Sequence, residues 1–276
     1  MIHMTDAPIL VLGARGKTGR RVADRLNDLG RPARAASRTT GFDLADPATW
    51  DAVLEGAGAV YLVPMNEYVD QSVVAGFARR AVERGASRLV LLSARGQGGE
   101  PSRFQVAGED AVRASGGEWT ILRPSWFAQN FSEDFLLEPV RSGVLALPAG
   151  DGREAFIDAG DIADVAVAAL TQDGHAGQIY ELSGPEALTF AETAAIISET
   201  GGKEVGYSPL QPAEFAAALT GQGFPAELVE VMDELFAVIR QDGGAHLSDG
   251  VRRVLGREPR PFTDYVKEAA ASGVWS

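Results

Sequence analysis

The 276 residues contain no cysteine, which excludes disulfides, thiolate nucleophiles and zinc-thiolate centres. Histidine is nearly absent too: His3, His175 and His246 lie far apart with no i,i+4 pairing, so no metal site is expected. Lysine is confined to Lys17, Lys203 and Lys267. No stretch approaches the roughly 18 consecutive apolar residues of a membrane span, and the N-terminus lacks a basic-then-apolar export signal, so a soluble, cytoplasmic protein without a membrane partner is expected. Positive charge is short as well, and a formal net charge of −13 argues against direct nucleic-acid binding. The deficit is uneven. Residues 1–130 carry sixteen basic and fourteen acidic side chains, residues 131–276 nine and twenty-four. An anionic ligand should therefore prefer the N-terminal part, and the acidic half favours a neutral or cationic small molecule.

What is present is alternation. Short apolar and β-branched runs at 9–13, 33–37, 59–64, 88–93, 119–124 and 178–184 are separated by helical patterns at about 17–29, 47–55, 68–84 and 102–115. This succession marks βαβ units and predicts an α/β fold, a Rossmann-type doubly wound parallel sheet. A short strand near Phe42 is also expected, Ser102 is the expected N-cap of the fourth helix, and Gly116-Gly117 its stop. After residue 184 strands vanish from the pattern, and proline- and glycine-rich breaks separate helical segments. In 227–241 Leu228, Val231, Met232, Leu235 and Ile239 share one helical face, which predicts core packing. A loop at 256–262 precedes a final helix near Thr263. The expected organisation is a nucleotide-binding domain over 1–184 and a smaller, mostly helical lobe over 185–276, with 125–155 contributing to the cleft between them.

The stretch "ILVLGARGKTGRRVADRL" (9–26) carries Gly13, Gly16 and Gly19 at a strand-to-helix junction. The first glycine permits the tight turn, the second lets backbone amides approach a diphosphate, and the third lets helix and strand pack closely. The helix N-terminus then faces the phosphate charge. At the end of the second strand an NAD-selective site would carry a carboxylate, whereas this chain reads "AASR", with Ser37 and Arg38 and no acid before Asp43. Arg15 adds a cation within the loop. Arginine grips phosphate bidentately, so NADPH is the expected cofactor, with NADH possible but less favoured.

Taken together, "LGARGKTGRRVADRL", "FDLAD", "VYLVP", "RLVLLSA", "EWTILRPSWFAQNF" and "FIDAGDIADVAVAAL" resemble the NmrA-like branch of the atypical short-chain dehydrogenases/reductases. The chain is most similar there to the ergot-alkaloid reductases of the agroclavine dehydrogenase type and the NADPH:quinone reductases. The resemblance implies that Gly13, Gly16 and Gly19, with Arg15, Lys17 and Thr18 between them, form the phosphate loop. It implies Ser37 and Arg38 at the 2′-phosphate, Asp43 near the adenine, and Leu62, Val63 and Pro64 on the adenosine side. Ser93 and Pro124 through Phe127 would border the nicotinamide, and Met65, Trp126 and Phe127 the acceptor.

The branch's ordinary relatives use a Tyr-x-x-x-Lys pair, in which lysine lowers the tyrosine pKa so that it can exchange a proton with the substrate oxygen. Here Tyr61, Tyr68, Tyr180, Tyr207 and Tyr265 all lack a lysine four residues on. Where the family's active-site segment falls, Gln105 and Glu109 stand instead, on a helix face expected to be exposed. Ser93, Gln105 and Asn130 are therefore the candidate catalytic groups. Such a set suits an acceptor that needs no strong acid: a quinone, which becomes a weakly basic phenolate, or an iminium, which becomes a neutral amine. The lobe, around Phe215, Phe224, Met232 and Phe236, would close over this small-molecule acceptor. The alternative function is an NADP(H)-sensing regulator without turnover that acts through a protein partner. Monomer and homodimer are both open.

Overall fold

The structure, a computed structural model, describes residues 7–64, 71–102 and 105–276. Six strands form one parallel sheet: β1 (Ile9–Leu12), β2 (Ala33–Ala36), β3 (Ala59–Leu62), β4 (Arg88–Leu92), β5 (Glu118–Pro124) and β8 (Gln178–Leu182), in the order β2-β1-β3-β4-β5-β8. Both faces are covered, so the central strands β1 and β3 are apolar and buried at every position rather than alternating. Leu10 and Leu12 of β1 pack with Phe42, Trp50 and Phe77 on one side. Ile9 and Val11 pack on the other with Val22 and Leu26 of α1 (Lys17–Asp28) and with α7 (Ala159–Thr171). β2 and β3 flank β1, so the chain leaves β1 for one side of the sheet and then returns to the other. That reversal opens a crevice at the carboxyl ends of β1 and β3.

The helices α2 (Trp50–Leu54), α3 (Gln71–Glu83) and α4 (Val106–Arg113) complete the βα units. The start of the helix expected from 68 lies outside the described residues. α7, at 159–171, was no part of the helical pattern read from sequence. Eleven of its thirteen residues are buried, and a helix wrapped on all sides has no polar face to give it a period. Two further expectations are corrected. Phe42 lies in a loop rather than a strand, anchored by its buried ring against Phe77 at 5.7 Å. Ser102 does not cap α4: its own amide donates to the Ala94 carbonyl, and the helix begins after Gln105.

Strands do not end at residue 184. β9 (Leu188–Thr189) pairs antiparallel with β7 (Arg153–Glu154), and β10 (Gly206–Pro209) pairs parallel with β6 (Val144–Leu147). Pieces as short as "RE", "LT" and "GYSP" carry too few apolar residues to register as strands, and only their distant partners define them. These pairings join 125–157 to the C-terminal third. Between them lies an aromatic core in which Phe131 meets Phe156 at 5.3 Å and Phe262 at 5.4 Å, with Phe190 and Phe236 also fully buried. Helices α8 (Phe190–Gly201), α9 (Pro212–Gly221), α10 (Ala226–Arg240) and α12 (Phe262–Ala271) surround it, whereas α11 (Gly250–Leu255) packs back on α7 and β8.

Candidate functional site

The glycine loop closes on itself as its spacing requires. Gly13 has φ of 61°, a left-handed conformation that glycine adopts freely. The Gly16 amide donates to the Gly13 carbonyl at 2.7 Å. A Cβ on Gly19 would lie 2.2 Å from that same carbonyl oxygen, so only glycine lets α1 sit this close to β1. Gly16 caps α1 with no side-chain hydrogen bond, and the first turn holds no acidic residue. Its free amides and positive dipole end are therefore available to an anion. Arg15 is exposed on the loop, and Arg38 is exposed just past β2. Among the described residues, neither guanidinium is paired with a carboxylate. Thr18 and Ser37 are buried, Ser37 through a hydroxyl contact with Thr39 at 2.9 Å. Asp43 is exposed and accepts the Ala45 amide at 2.9 Å. Backbone amides with no side-chain cap, flanked by two arginines that are unpaired among the described residues, fit a dinucleotide diphosphate and a further phosphate.

Beyond the carboxyl ends of β4 and β5 a cavity of about 970 Å³ opens toward the C-terminal third. It brings together Lys17, Ser93, Gln105, Pro124, Trp126, Phe127 and Asn130, and closes against Phe215, Phe224, Leu228, Met232 and Leu235. Met65 and Tyr68 lie outside the described residues, and no described tyrosine lines it. Three residues read as core from the α10 periodicity, Leu228, Met232 and Leu235, instead face this space. The helix has one broad apolar face, on which Val229, Val231, Phe236 and Ile239 are buried and Leu228, Met232 and Leu235, interspersed among them, border the cavity. Phe236 is fully buried behind the lining, 5.3 Å from the Trp126 ring.

Hydrogen bonds decide what each polar side chain can offer. The Ser93 hydroxyl donates to Glu109 at 2.7 Å, so its lone pairs are what remain for a ligand. Glu109, expected on an exposed face, is fully buried. Its carboxylate receives Arg123 through two bonds of 2.8 Å and Arg113 through a third. Burial raises its pKa, but the bonds from Arg123 and Ser93 prevail and hold it below the usual value, so it stays ionised and is no proton donor. Gln105 is half-buried, and its Oε1 has no partner among the described residues. The Lys17 ammonium donates to Asn130 Oδ1 at 2.8 Å, pairs with Asp134 and stands 5.5 Å above the Phe127 ring. Because lysine only donates, Asn130 must present its oxygen to Lys17, and its amide hydrogens have no partner among the described residues.

A second buried network supports the floor. Arg95 lines the cavity and donates to the carbonyls of Gly244 at 2.7 Å and His246 at 2.9 Å, with Glu154 at 3.4 Å. His246 in turn meets Glu181 at 2.8 Å. Complete burial outweighs Arg95 and pushes the Glu154 carboxyl up to about 7. Sequence reasoning missed Arg95, Asp134 and Phe135 on the lining. The only signal was their placement, Arg95 two residues past Ser93 at a strand end and the other pair just after Asn130.

Residues 13–173 match the family model described as NAD(P)H-binding. The chain is 33% identical to the NAD(P)H azoreductase of Xenophilus azovorans over 96% of its length and 98% of the relative's. It is 32% identical to agroclavine dehydrogenase of Claviceps fusiformis over 94% and 96%. Two solved structures share the fold. The NADPH complex of the Escherichia coli quinone oxidoreductase QOR2 superposes with a TM-score of 0.75 at 24% identity, over 94% of this chain and 99% of that one. Nmra, a negative transcriptional regulator bound to NAD, gives 0.73 at 16%, over 98% of each.

Proposed function

Since the chain belongs to the NAD(P)H-binding, NmrA-like family and is an NAD(P)H-dependent oxidoreductase, we propose that it reduces a conjugated, largely apolar acceptor with NADPH and without a Tyr-Lys pair. The cavity carries this reading. At about 970 Å³ it matches spaces that enclose small organic ligands. It starts where an open α/β sheet presents its ligands and is walled by aromatic rings.

In this reading residues 1–184 hold the cofactor, and 185–276 with 125–155 close over the acceptor. Gly13, Gly16, Gly19 and the first-turn amides of α1 hold the diphosphate, with Arg15, Ser37 and Arg38 on the 2′-phosphate side. Asp43 and Pro64 stand on the adenosine side, and Ser93 and Pro124 at the nicotinamide. Bound nicotinamide supplies a hydride. Trp126 and Phe127 hold the acceptor face against it, and the lobe excludes water, so proximity and orientation supply the catalysis. A quinone-type product leaves as a phenolate, whose conjugate acid has a pKa of about 10 and is protonated by water. An iminium product needs no proton.

The test is anaerobic NADPH oxidation, followed by loss of its absorbance, against a panel of quinones and cyclic iminium ions. Turnover with either class supports the reading. Tight NADPH binding without turnover on any acceptor would instead favour an NADP(H) sensor that works through a protein partner.

A further inference from the structure

We propose that Lys17 is a catalytic residue that faces the acceptor rather than the cofactor, holding the acceptor oxygen on which negative charge gathers as hydride arrives. The inference rests on the reductase reading and deepens it by naming the group that replaces the missing Tyr-Lys pair.

Lys17 is the first residue of α1, directly after Gly16, and its side chain crosses from the phosphate loop to α5 (Asn130–Glu133). The ammonium is fixed from three sides, by Asn130 Oδ1 at 2.8 Å, by the Asp134 carboxylate, and by the Phe127 ring below. Asn130 is itself buried. An ammonium has three donors, and these contacts use two. Among the described residues nothing takes the third, on a side chain that lines the cavity. Arg95, the other described cation on that lining, spends its guanidinium on Gly244, His246 and Glu154.

When a quinone accepts hydride from bound NADPH, the cofactor loses two electrons, a new bond to hydrogen forms on the acceptor, and one oxygen becomes anionic. A cation already fixed beside that oxygen stabilises the charge without reorganising, and water delivers the proton after release. An iminium is cationic, and its charge disappears as hydride arrives, so it gains nothing from the third donor. The geometry therefore selects acceptors that build charge on oxygen. Asp134 competes with the acceptor for the same ammonium and tempers its charge.

The probe is 4-nitrophenol, whose visible absorbance reports its ionisation, bound to the NADP⁺-loaded protein. An opposite charge within reach lowers an acid's pKa by about one unit or more, so the wild type should raise the phenolate-to-phenol ratio of bound probe about tenfold. Lys17→Met should abolish the shift while NADPH affinity, read by fluorescence, stays within about twofold, and Lys17→Arg should restore part of it. Asp134→Asn, which keeps the lysine, should increase the phenolate fraction. The proposal is overturned if the wild type does not bind the probe, if the shift survives in Lys17→Met, or if that variant loses NADPH affinity tenfold with the shift intact. None of these readouts needs turnover, so a protein that reduces nothing can still pass this test while the reductase reading fails.

Discussion

At the residue scale, the 2′-phosphate contact proposed for Arg38 is what would set the cofactor. An exposed guanidinium with no carboxylate partner among the described residues, placed just past β2, has no structural task that its removal would disturb. Hydrogen bonds to a charged group contribute about 1.5–3 kcal/mol, so Arg38→Ala should raise the NADPH dissociation constant about tenfold to a hundredfold. NADH should change no more than about twofold. Equal losses for the two would remove the 2′-phosphate assignment. Glu154 makes a prediction of another kind. Its folded carboxyl protonates near 7 against an ordinary 4.5. Between those values the folded protein holds a proton that the unfolded chain has released, so this group's contribution to stability falls as pH rises through the window. Glu154→Gln should therefore gain stability relative to wild type from pH 5 to pH 8, by a few kcal/mol at most. Denaturant melts at both pH values measure it, and an unchanged difference would contradict the ionisation assigned to this carboxyl.

At the scale of elements, α10 separates packing from recognition. Phe236 is fully buried against Trp126 at 5.3 Å and Phe215 at 5.4 Å, so Phe236→Ala should cost about 3–5 kcal/mol of stability. Met232 sits one turn earlier, on the cavity side. Met232→Trp should leave stability within about 1 kcal/mol, as a substitution into open space does. It should raise KM for bulky acceptors while NADPH affinity is unchanged. A fall in stability with no change in KM would put Met232 back in the core. The periodicity of 227–241 showed that the helix has an apolar face but not that part of this face borders a cavity, because period alone does not say what a face meets. The strands of the main sheet and the glycine loop were legible because local chemistry fixes them: apolar runs buried on both faces, and a turn that only glycine makes. Glu109 was misplaced on an exposed face because its partners Arg123 and Ser93 come from β5 and from just past the end of β4. The short strands β6, β7, β9 and β10 were invisible for the same reason.

Across the whole molecule, the site is a junction. The glycine loop proposed to hold the cofactor belongs to the first βα unit, whereas the cavity proposed for the acceptor lies beyond the carboxyl ends of β4 and β5 and is closed by α9 and α10. Charge follows that division, with residues 1–130 slightly basic and residues 131–276 strongly acidic. Among the described residues, no helix is long and apolar enough to cross a membrane, and no cluster of side chains has the makings of a metal site. The chemistry proposed for this site rests on the NAD(P)H that the family binds and on the few polar groups around the cavity. The most direct test is an anaerobic single turnover, in which protein loaded with one equivalent of NADPH is mixed with a naphthoquinone and followed by absorbance. The account predicts loss of the bound NADPH in step with appearance of the hydroquinone, and slower loss in Lys17→Met. NADPH that stays bound and reduced, with the quinone in excess, would contradict it.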